Sequence, residues 1–233
     1  MQVSAVIAAG GSGSRLGKAT PKQFLDLNGR PVMAWCLDSF STAMEIGEII
    51  VVAPIDYLNL AKEITDKYCK DKPWKVVHGG STRHESVKNG VSASSSKMEW
   101  VAVHDAARPF IRPDEIDAIC LLARELGAAI LAKKVIDTIK EIKDDIITRT
   151  LDRSMLAAAL TPQVCKKADL LSAYSHAEAI GFVATDEASL LEEIGIDVAV
   201  QFGSPINFKI TTEEDLTIAR AISSYFLKEG NGL

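Results

Sequence analysis

The chain has 233 residues, of which 47% are apolar and 24% charged, with a formal net charge of -5. That length suits one domain with a single sizeable core, and the composition excludes a disordered chain. The acidic balance argues against DNA or RNA as a main partner, while leaving room for a small anionic ligand held by a few local cations.

Along the chain, short apolar runs alternate with amphipathic segments. Val3 to Ala9 is a buried-type strand that runs into glycines. Pro31 to Phe40 has a helical pattern, with Pro31 suited to the first turn. Strands are expected at Glu48–Ala53, Lys75–His78, Trp100–His104 and Ala128–Ala132. Helices are expected at Ile55–Tyr68, Arg83–Ala93 and Asp114–Leu126. This order predicts a mostly parallel sheet covered on both faces, with ligands beyond the carboxyl ends of the strands. The loops after Ala9, His78 and His104 should then share one crevice. From Val135 to Ile142 and from Ile146 to Leu151, apolar and polar residues alternate around Lys143-Asp144-Asp145, which predicts a β-hairpin. A lone hairpin is marginally stable, so a second subunit is one candidate for covering it. Helical pattern resumes at Lys166–Ala179 and Asp186–Glu193. Strands follow at Asp197–Val200 and Asn207–Ile210, and a last helix starts near Thr212 with Glu213, Glu214 and Asp215 in its first turn.

The four cysteines, Cys36, Cys69, Cys120 and Cys165, are scattered without metal spacing and read as reduced, buried thiols of a cytoplasmic protein. No apolar run approaches the roughly 18 residues of a membrane span, and no basic stretch precedes an apolar one at the N-terminus. Neither a membrane partner nor a removed leader is expected.

The strongest chemical feature is Ala8-Ala9-Gly10-Gly11-Ser12-Gly13-Ser14-Arg15-Leu16-Gly17, followed by Pro21-Lys22-Gln23. Glycines let a loop turn tightly and bring its N–H groups close to phosphate oxygens. The P-loop pattern fails here, because Gly17-Lys18 is followed by Ala19 rather than a hydroxyl residue. The dinucleotide fingerprint fails too, because Leu16 stands where a third glycine belongs. A glycine loop also serves as a plain structural turn; Arg15, Pro21 and Lys22 weigh against that.

Four further segments extend the pattern: His104-Asp105-Ala106-Ala107-Arg108-Pro109-Phe110, Thr161-Pro162-Gln163, Thr185-Asp186-Glu187-Ala188-Ser189 and Asn207-Phe208-Lys209-Ile210-Thr211. The glycine loop resembles that of the sugar-phosphate nucleotidyltransferases. In this order and spacing the whole set resembles the 2-C-methyl-D-erythritol 4-phosphate cytidylyltransferase family. The resemblance implies a Rossmann-like three-layer α/β sandwich of nucleotidyltransferase type, spanning residues 1–233, with a protruding β-hairpin arm at about 134–154. It implies cytidylyl transfer from CTP to a polyol phosphate in non-mevalonate isoprenoid synthesis. A pentitol phosphate such as D-ribitol 5-phosphate is the alternative acceptor, and Thr185-Asp186-Glu187-Ala188-Ser189 favours methylerythritol phosphate over it.

By resemblance, Arg15 and Lys22 hold the triphosphate and stabilise the transition state, and Arg153 and Lys209 are catalytic cations on the acceptor side. Ala9, Gly10, Gly11, Ser12, Gly13, Gly80, Ser81, Ser86, Asp105 and Ala106 match CTP-binding positions. Arg108, Thr138, Arg153, Thr161, Thr185, Asp186 and Lys209 match acceptor-binding positions. Asp105 ends an apolar strand, where a carboxylate faces the crevice, and is the expected ligand of Mg2+ or another divalent cation. The competing role for Asp105 is a surface pair with Arg108. His104 is expected in the core or behind the site rather than in the chemistry, since the attacking phosphate is already ionised. In this family the hairpin is an arm across a homodimer, which makes Arg153 a candidate for the neighbouring subunit's site. Phe208 and the Val183-Ala184 lead-in depart from the commoner family pattern without removing a charge.

Overall fold

In the computed structural model of the chain, residues 3–10 and 20–229 are described. A seven-stranded sheet forms the middle layer. Its strands are β1 (Val3–Ala8), β4 (Ile46–Ala53), β5 (Trp74–His78), β6 (Trp100–Asp105), β7 (Ala128–Lys134), β10 (Ala157–Lys166) and β11 (Ala199–Phe202). Across the sheet the order is β11-β7-β10-β6-β1-β4-β5. β1, β4, β5 and β6 pair in parallel, and β11 is parallel to β7, while β10 runs antiparallel to both of its neighbours.

Strand alternation distributes side chains to two helical layers. Val3, Ala5 and Ile7 of β1 join Ile49 and Val51 of β4 on one face, packed by Met33, Leu37 and Phe40 of α1 (Val32–Thr42). α2 (Leu58–Tyr68) adds Ala61 and Ile64 there, and α4 (Pro113–Leu126) adds Ile116, Ile119 and Ala123. On the opposite face Val6, Ile50, Val52, Val101 and Val103 meet Val87 and Val91 of α3 (Arg83–Ala93). The same face takes Leu170 and Tyr174 of α5 (Lys167–Ile180) and Leu190 and Leu191 of α6 (Glu187–Glu193). The interior strands are therefore apolar on both sides, which explains their near-continuous hydrophobic runs. At Gly90 of α3, a Cβ would come within 2.5 Å of Val6 and 2.6 Å of Val52. Glycine there lets α3 lie close on β1 and β4. The last helix, α7 (Glu213–Glu229), packs Leu216 and Ala219 against Trp35, Phe110 and Ile210.

The structure departs from the expected elements in three places. The middle strand β10 was not expected: Pro162 interrupts the pattern, and the register shifts between Ala159 and Gln163. The expected strand Asn207–Ile210 is instead an irregular segment, tied by the Ile210 N–H to the Ala107 carbonyl at 2.9 Å. A small hairpin, β2 (Asp26–Leu27) and β3 (Arg30–Pro31), turns through Asn28 and Gly29, both with positive φ. Asn-Gly is the dipeptide such a tight turn demands.

The predicted arm is present in shortened form. β8 (Lys140–Lys143) and β9 (Ile146–Thr150) pair only with each other, through Asp144 and Asp145 at φ 50° and 61°. All nine strand residues are exposed, Ile142, Ile146 and Ile147 among them. The four cysteines are buried and free. Among the described residues, no helix is long and apolar enough to cross a membrane.

Candidate active site

Three strands of the parallel part of the sheet deliver their following residues to one place. A cleft of about 380 Å³ is lined by Gly10 after β1, by Ser81, Thr82 and Arg83 after β5, and by Asp105 and Ala107 at the end of β6. Lys22, Ser86 and Lys209 complete its polar wall. A second cleft of about 230 Å³ is lined by Arg108, Thr161, Gln163, Thr185 and Asp186. Arg83, Asp105 and Lys209 line both clefts and form the ridge between them.

Local structure explains how these groups are aimed. The buried Gln23 donates from its side-chain amide to the Ala9 carbonyl, pinning the single 3-10 turn Lys22–Phe24 beside the end of β1. Lys22 thereby reaches the first cleft. The Gly80 N–H donates to Ser86 Oγ at 3.0 Å, and that hydroxyl donates to the Thr82 carbonyl at 2.8 Å. Thr82 caps α3 by accepting from the Glu85 N–H. Ser81, at the rim, gives both its N–H and its hydroxyl to Glu85 Oε2, each at 2.7 Å.

The ridge is a charge cluster. Asp105 Oδ2 lies 3.0 Å from Lys209 Nζ and 3.4 Å from Arg108 Nε, and Oδ1 lies 3.3 Å from Arg83 Nε. Burial alone would raise the Asp105 pKa, but Arg83, then Lys209 and Arg108, outweigh it and hold the carboxyl well below the usual carboxylate range. Arg83 spreads its two terminal nitrogens over Glu187, at 2.7 Å to Oε1 and 3.0 Å to Oε2. Burial works against the charged form of Arg83, yet Glu187 and Asp105 shift its pKa upward overall.

Behind the ridge, His104 is fully buried, and burial pushes its pKa down to about 4. Nε2 sits 3.1 Å from the Arg108 carbonyl, an acceptor only, so Nε2 carries the proton. Nδ1 then accepts from the Thr161 hydroxyl at 3.0 Å, and Thr161 Oγ1 in turn accepts the Asp105 N–H at 3.1 Å. A neutral imidazole thus fixes the backbone of Asp105 and takes no place in either cleft. Asn207 completes the frame: its side-chain amide donates to the Thr161 carbonyl at 2.9 Å, and its own carbonyl accepts from Arg108 at 3.1 Å. Gln163 donates to Asp186 Oδ2 at 2.8 Å and accepts the Ala188 N–H at 2.9 Å, which locks the N-terminus of α6 to β10.

The residues expected from sequence divide into four groups. Gly10, Lys22, Ser81, Ser86, Asp105 and Lys209 line the first cleft, and Arg108, Thr161, Thr185, Asp186 and Lys209 meet at the second. Ala9 and Ala106 are buried just behind the first cleft, Ala9 with its N–H on Val52 and Ala106 with its N–H on Ala8. Gly80 stands beside it, where a Cβ would meet the Glu85 side chain at 2.2 Å. Thr138 and Arg153 line neither cleft: Thr138 is exposed before β8. Arg153 donates to the Ile136 carbonyl and borders a separate cleft of about 460 Å³ with Lys134, Leu156 and Phe202. Gly11, Ser12, Gly13 and Arg15 lie outside the described residues. Sequence reasoning missed Arg83, Thr82, Gln163 and Glu187 as site residues. Gln163 and Glu187 lie inside the Thr161-Pro162-Gln163 and Thr185–Ser189 segments, which was the signal for them, whereas Thr82 and Arg83 belong to no such segment.

The donor set fits a Mg2+ ion that brings most of its ligands with a triphosphate. A carboxylate offers about four lone-pair directions. Among the described residues, the three cations on Asp105 leave Oδ1 with a single contact. Among the described residues, no group of three or more His, Cys, Asp or Glu gathers into an all-protein cage. One ionised carboxylate with phosphate oxygens and water is an ordinary Mg2+ environment.

Comparison with known proteins agrees with this geometry. Residues 3–224 match the family model described as 2-C-methyl-D-erythritol 4-phosphate cytidylyltransferase. A protein of that name from Bacillus licheniformis is 40% identical over 222 residues, covering 95% of this chain and 96% of its own length. One from Carboxydothermus hydrogenoformans is 36% identical over 230 residues, covering 98% of each. The crystal structure of the 4-diphosphocytidyl-2C-methyl-D-erythritol synthase of Anaerococcus prevotii superposes with a TM-score of 0.85 at 34% identity, covering 95% of this chain and 98% of the other. The Thermus thermophilus cytidylyltransferase superposes at 0.78 with 31% identity, over 96% of this chain and 100% of the other. The α/β sandwich, the two clefts and these matches along nearly the full length agree: the chain belongs to the 2-C-methyl-D-erythritol 4-phosphate cytidylyltransferase family.

Proposed function

We infer that this protein transfers the cytidylyl group of CTP to 2-C-methyl-D-erythritol 4-phosphate, releasing pyrophosphate. The observation that carries this is the pair of clefts meeting on Asp105, Arg83 and Lys209, one lined by Gly10, Lys22, Ser81 and Ser86 and the other by Arg108, Thr161, Thr185 and Asp186. Two phosphorylated molecules placed there would meet at the ridge. An acceptor phosphate oxygen attacks the α-phosphorus in line. The new O–P bond forms as the bond to the β-phosphate oxygen breaks, and pyrophosphate leaves with that electron pair. No strong base is required, because the attacking phosphate is already an anion.

The protein's task is to position the two phosphates and neutralise the charge that develops. Lys22, with Arg15 from the glycine loop, serves the triphosphate. Lys209, shared by both clefts, serves the acceptor phosphate and the five-coordinate phosphorus. A divalent ion held by Asp105 would supply further charge neutralisation on the triphosphate oxygens. Backbone groups of Gly80 and Ser81 at the cleft rim suit recognition of the cytosine N4 edge, where a carbonyl accepts from the amino group and rejects uracil.

The arm supports a dimeric enzyme. Its strands expose Ile142, Ile146 and Ile147, and nearby Ile136 and Met155 are 78% and 82% exposed. A two-stranded hairpin with apolar faces in water is marginal by itself. A second copy covering the arm would place Arg153 and Thr138 at the partner's acceptor cleft, which would account for their lining neither of the two site clefts in their own chain. The chain, working as one nucleotidyltransferase domain, then suits a cytoplasmic enzyme.

Pyrophosphate release with CTP and Mg2+ should be faster with methylerythritol 4-phosphate than with D-ribitol 5-phosphate, measured as kcat/KM. A preference for ribitol 5-phosphate would overturn the acceptor assignment while leaving cytidylyl transfer in place.

A further inference from the structure

Glu187 is 2% exposed, carries a charge, and touches neither of the two main clefts. A buried carboxylate is costly unless it is paired, so its partner matters. That partner is Arg83, 104 positions away in sequence, and the pairing is fork to fork. The same guanidinium turns only its Nε edge, at the longer distance of 3.3 Å, toward Asp105 Oδ1. Two carboxylates therefore compete for one arginine. Glu187 takes the bidentate face, and Asp105 receives a single weaker contact.

We propose that Glu187 is a positioning residue that withholds Arg83 from Asp105, keeping Asp105 Oδ1 open toward the nucleotide-bound divalent cation. Without the Glu187 charge, the terminal nitrogens of Arg83 would turn to the nearest remaining carboxylate, Asp105, and cap it bidentately. The local charge balance points the same way. Arg83, Arg108 and Lys209 face Asp105 and Glu187, an excess of one positive charge; loss of Glu187 would make the excess two and disfavour a further cation. This rests on the cytidylyltransferase reading, and the test separates the two.

The experiment is calorimetric titration of CTP into the acceptor-free protein, with and without Mg2+, with thermal melting as the control for fold. The readout is the gain in CTP affinity that Mg2+ confers. In Glu187→Gln this gain should shrink about tenfold relative to the parent chain, as expected for capping of a metal-facing carboxylate oxygen. In the double variant Glu187→Gln with Arg83→Met, the capping group is gone, and the gain should return to within about threefold of the parent. A purely structural strut predicts the reverse, with the double variant no better than the single. An unchanged gain in Glu187→Gln, or no recovery in the double variant, would overturn the proposal. Should Glu187→Gln fail to fold, Arg83→Lys gives an independent reading. Lysine has no fork to close over Asp105, so the gain should match or exceed the parent's, and a tenfold fall would overturn the idea. A parent chain that binds no CTP would instead overturn the function itself.

Discussion

Chains carrying Lys22→Ala and chains carrying Arg153→Ala should each lose about 10²–10³ in kcat, the cost of about 3–4 kcal/mol for removing one charged donor from a phosphoryl-transfer site. Mixed together after dissociation and reassociation, they should recover activity. If Arg153 serves the partner's site, each mixed dimer holds one site with an intact Lys22 and an intact Arg153 from the other chain. Random pairing makes about half the dimers mixed, so about a quarter of the wild-type rate should return. The physical basis is the placement of the two residues. Lys22 lines the cleft shared with Gly10, Ser81 and Asp105, whereas Arg153 borders a different cleft at the base of the arm. Continued inactivity in proven mixed dimers would put Arg153 in its own subunit's site or outside the chemistry.

The second large effect is expected at Asp105. Asp105→Asn keeps the shape of the side chain and removes the charge that balances Arg83, Arg108 and Lys209. Turnover should fall by about 10²–10³. Stability should fall too, by about 2 kcal/mol, less than for a fully buried pair because Arg83 and Lys209 are each one-third exposed to solvent. The pH dependence has a definite sign. The Asp105 pKa is depressed in the folded chain, so its contribution is complete above the unfolded value of about 4 and is lost as pH falls through the lower folded value. Denaturant unfolding of the two proteins should therefore differ most at neutral pH, and the gap should narrow below about pH 4. A gap independent of pH would mean that the asparagine disturbs packing rather than charge.

The parallel half of the sheet was legible in sequence because its strands are buried on both faces. Within them, Ala5 to Ala8 and Ile49 to Ala53 are unbroken apolar runs. The crevice followed from the same pattern, since Gly10, Ser81 and Asp105 all lie just past such runs. β10 was not legible. A proline and a register shift lie in its middle, and its first half, Ala157 to Ala159, carries no β-branched residue. Asn207 to Ile210 erred in the other direction: its alternation suggested a ladder, but its side chains serve the site frame and one hydrogen bond replaces the pairing. In the candidate site, residues within contiguous motifs were found and residues joined through space were missed. Arg83 opens a helix like any other first-turn residue until Glu187 and Asp105 are seen around it. Gln163 sat inside a recognised motif, yet its bridge to Asp186 and Ala188 exists only once β10 lies beside α6.

The central claim is that the α-phosphoryl group of CTP moves to the acceptor phosphate. Its most direct test uses CTP labelled at the α-phosphorus, with Mg2+ and methylerythritol 4-phosphate, followed by separation of the products. The label should appear in a diphosphate-linked cytidine–methylerythritol product, with unlabelled pyrophosphate formed in equal amount. Label remaining in CTP, or released as CMP without joining the acceptor, would contradict it.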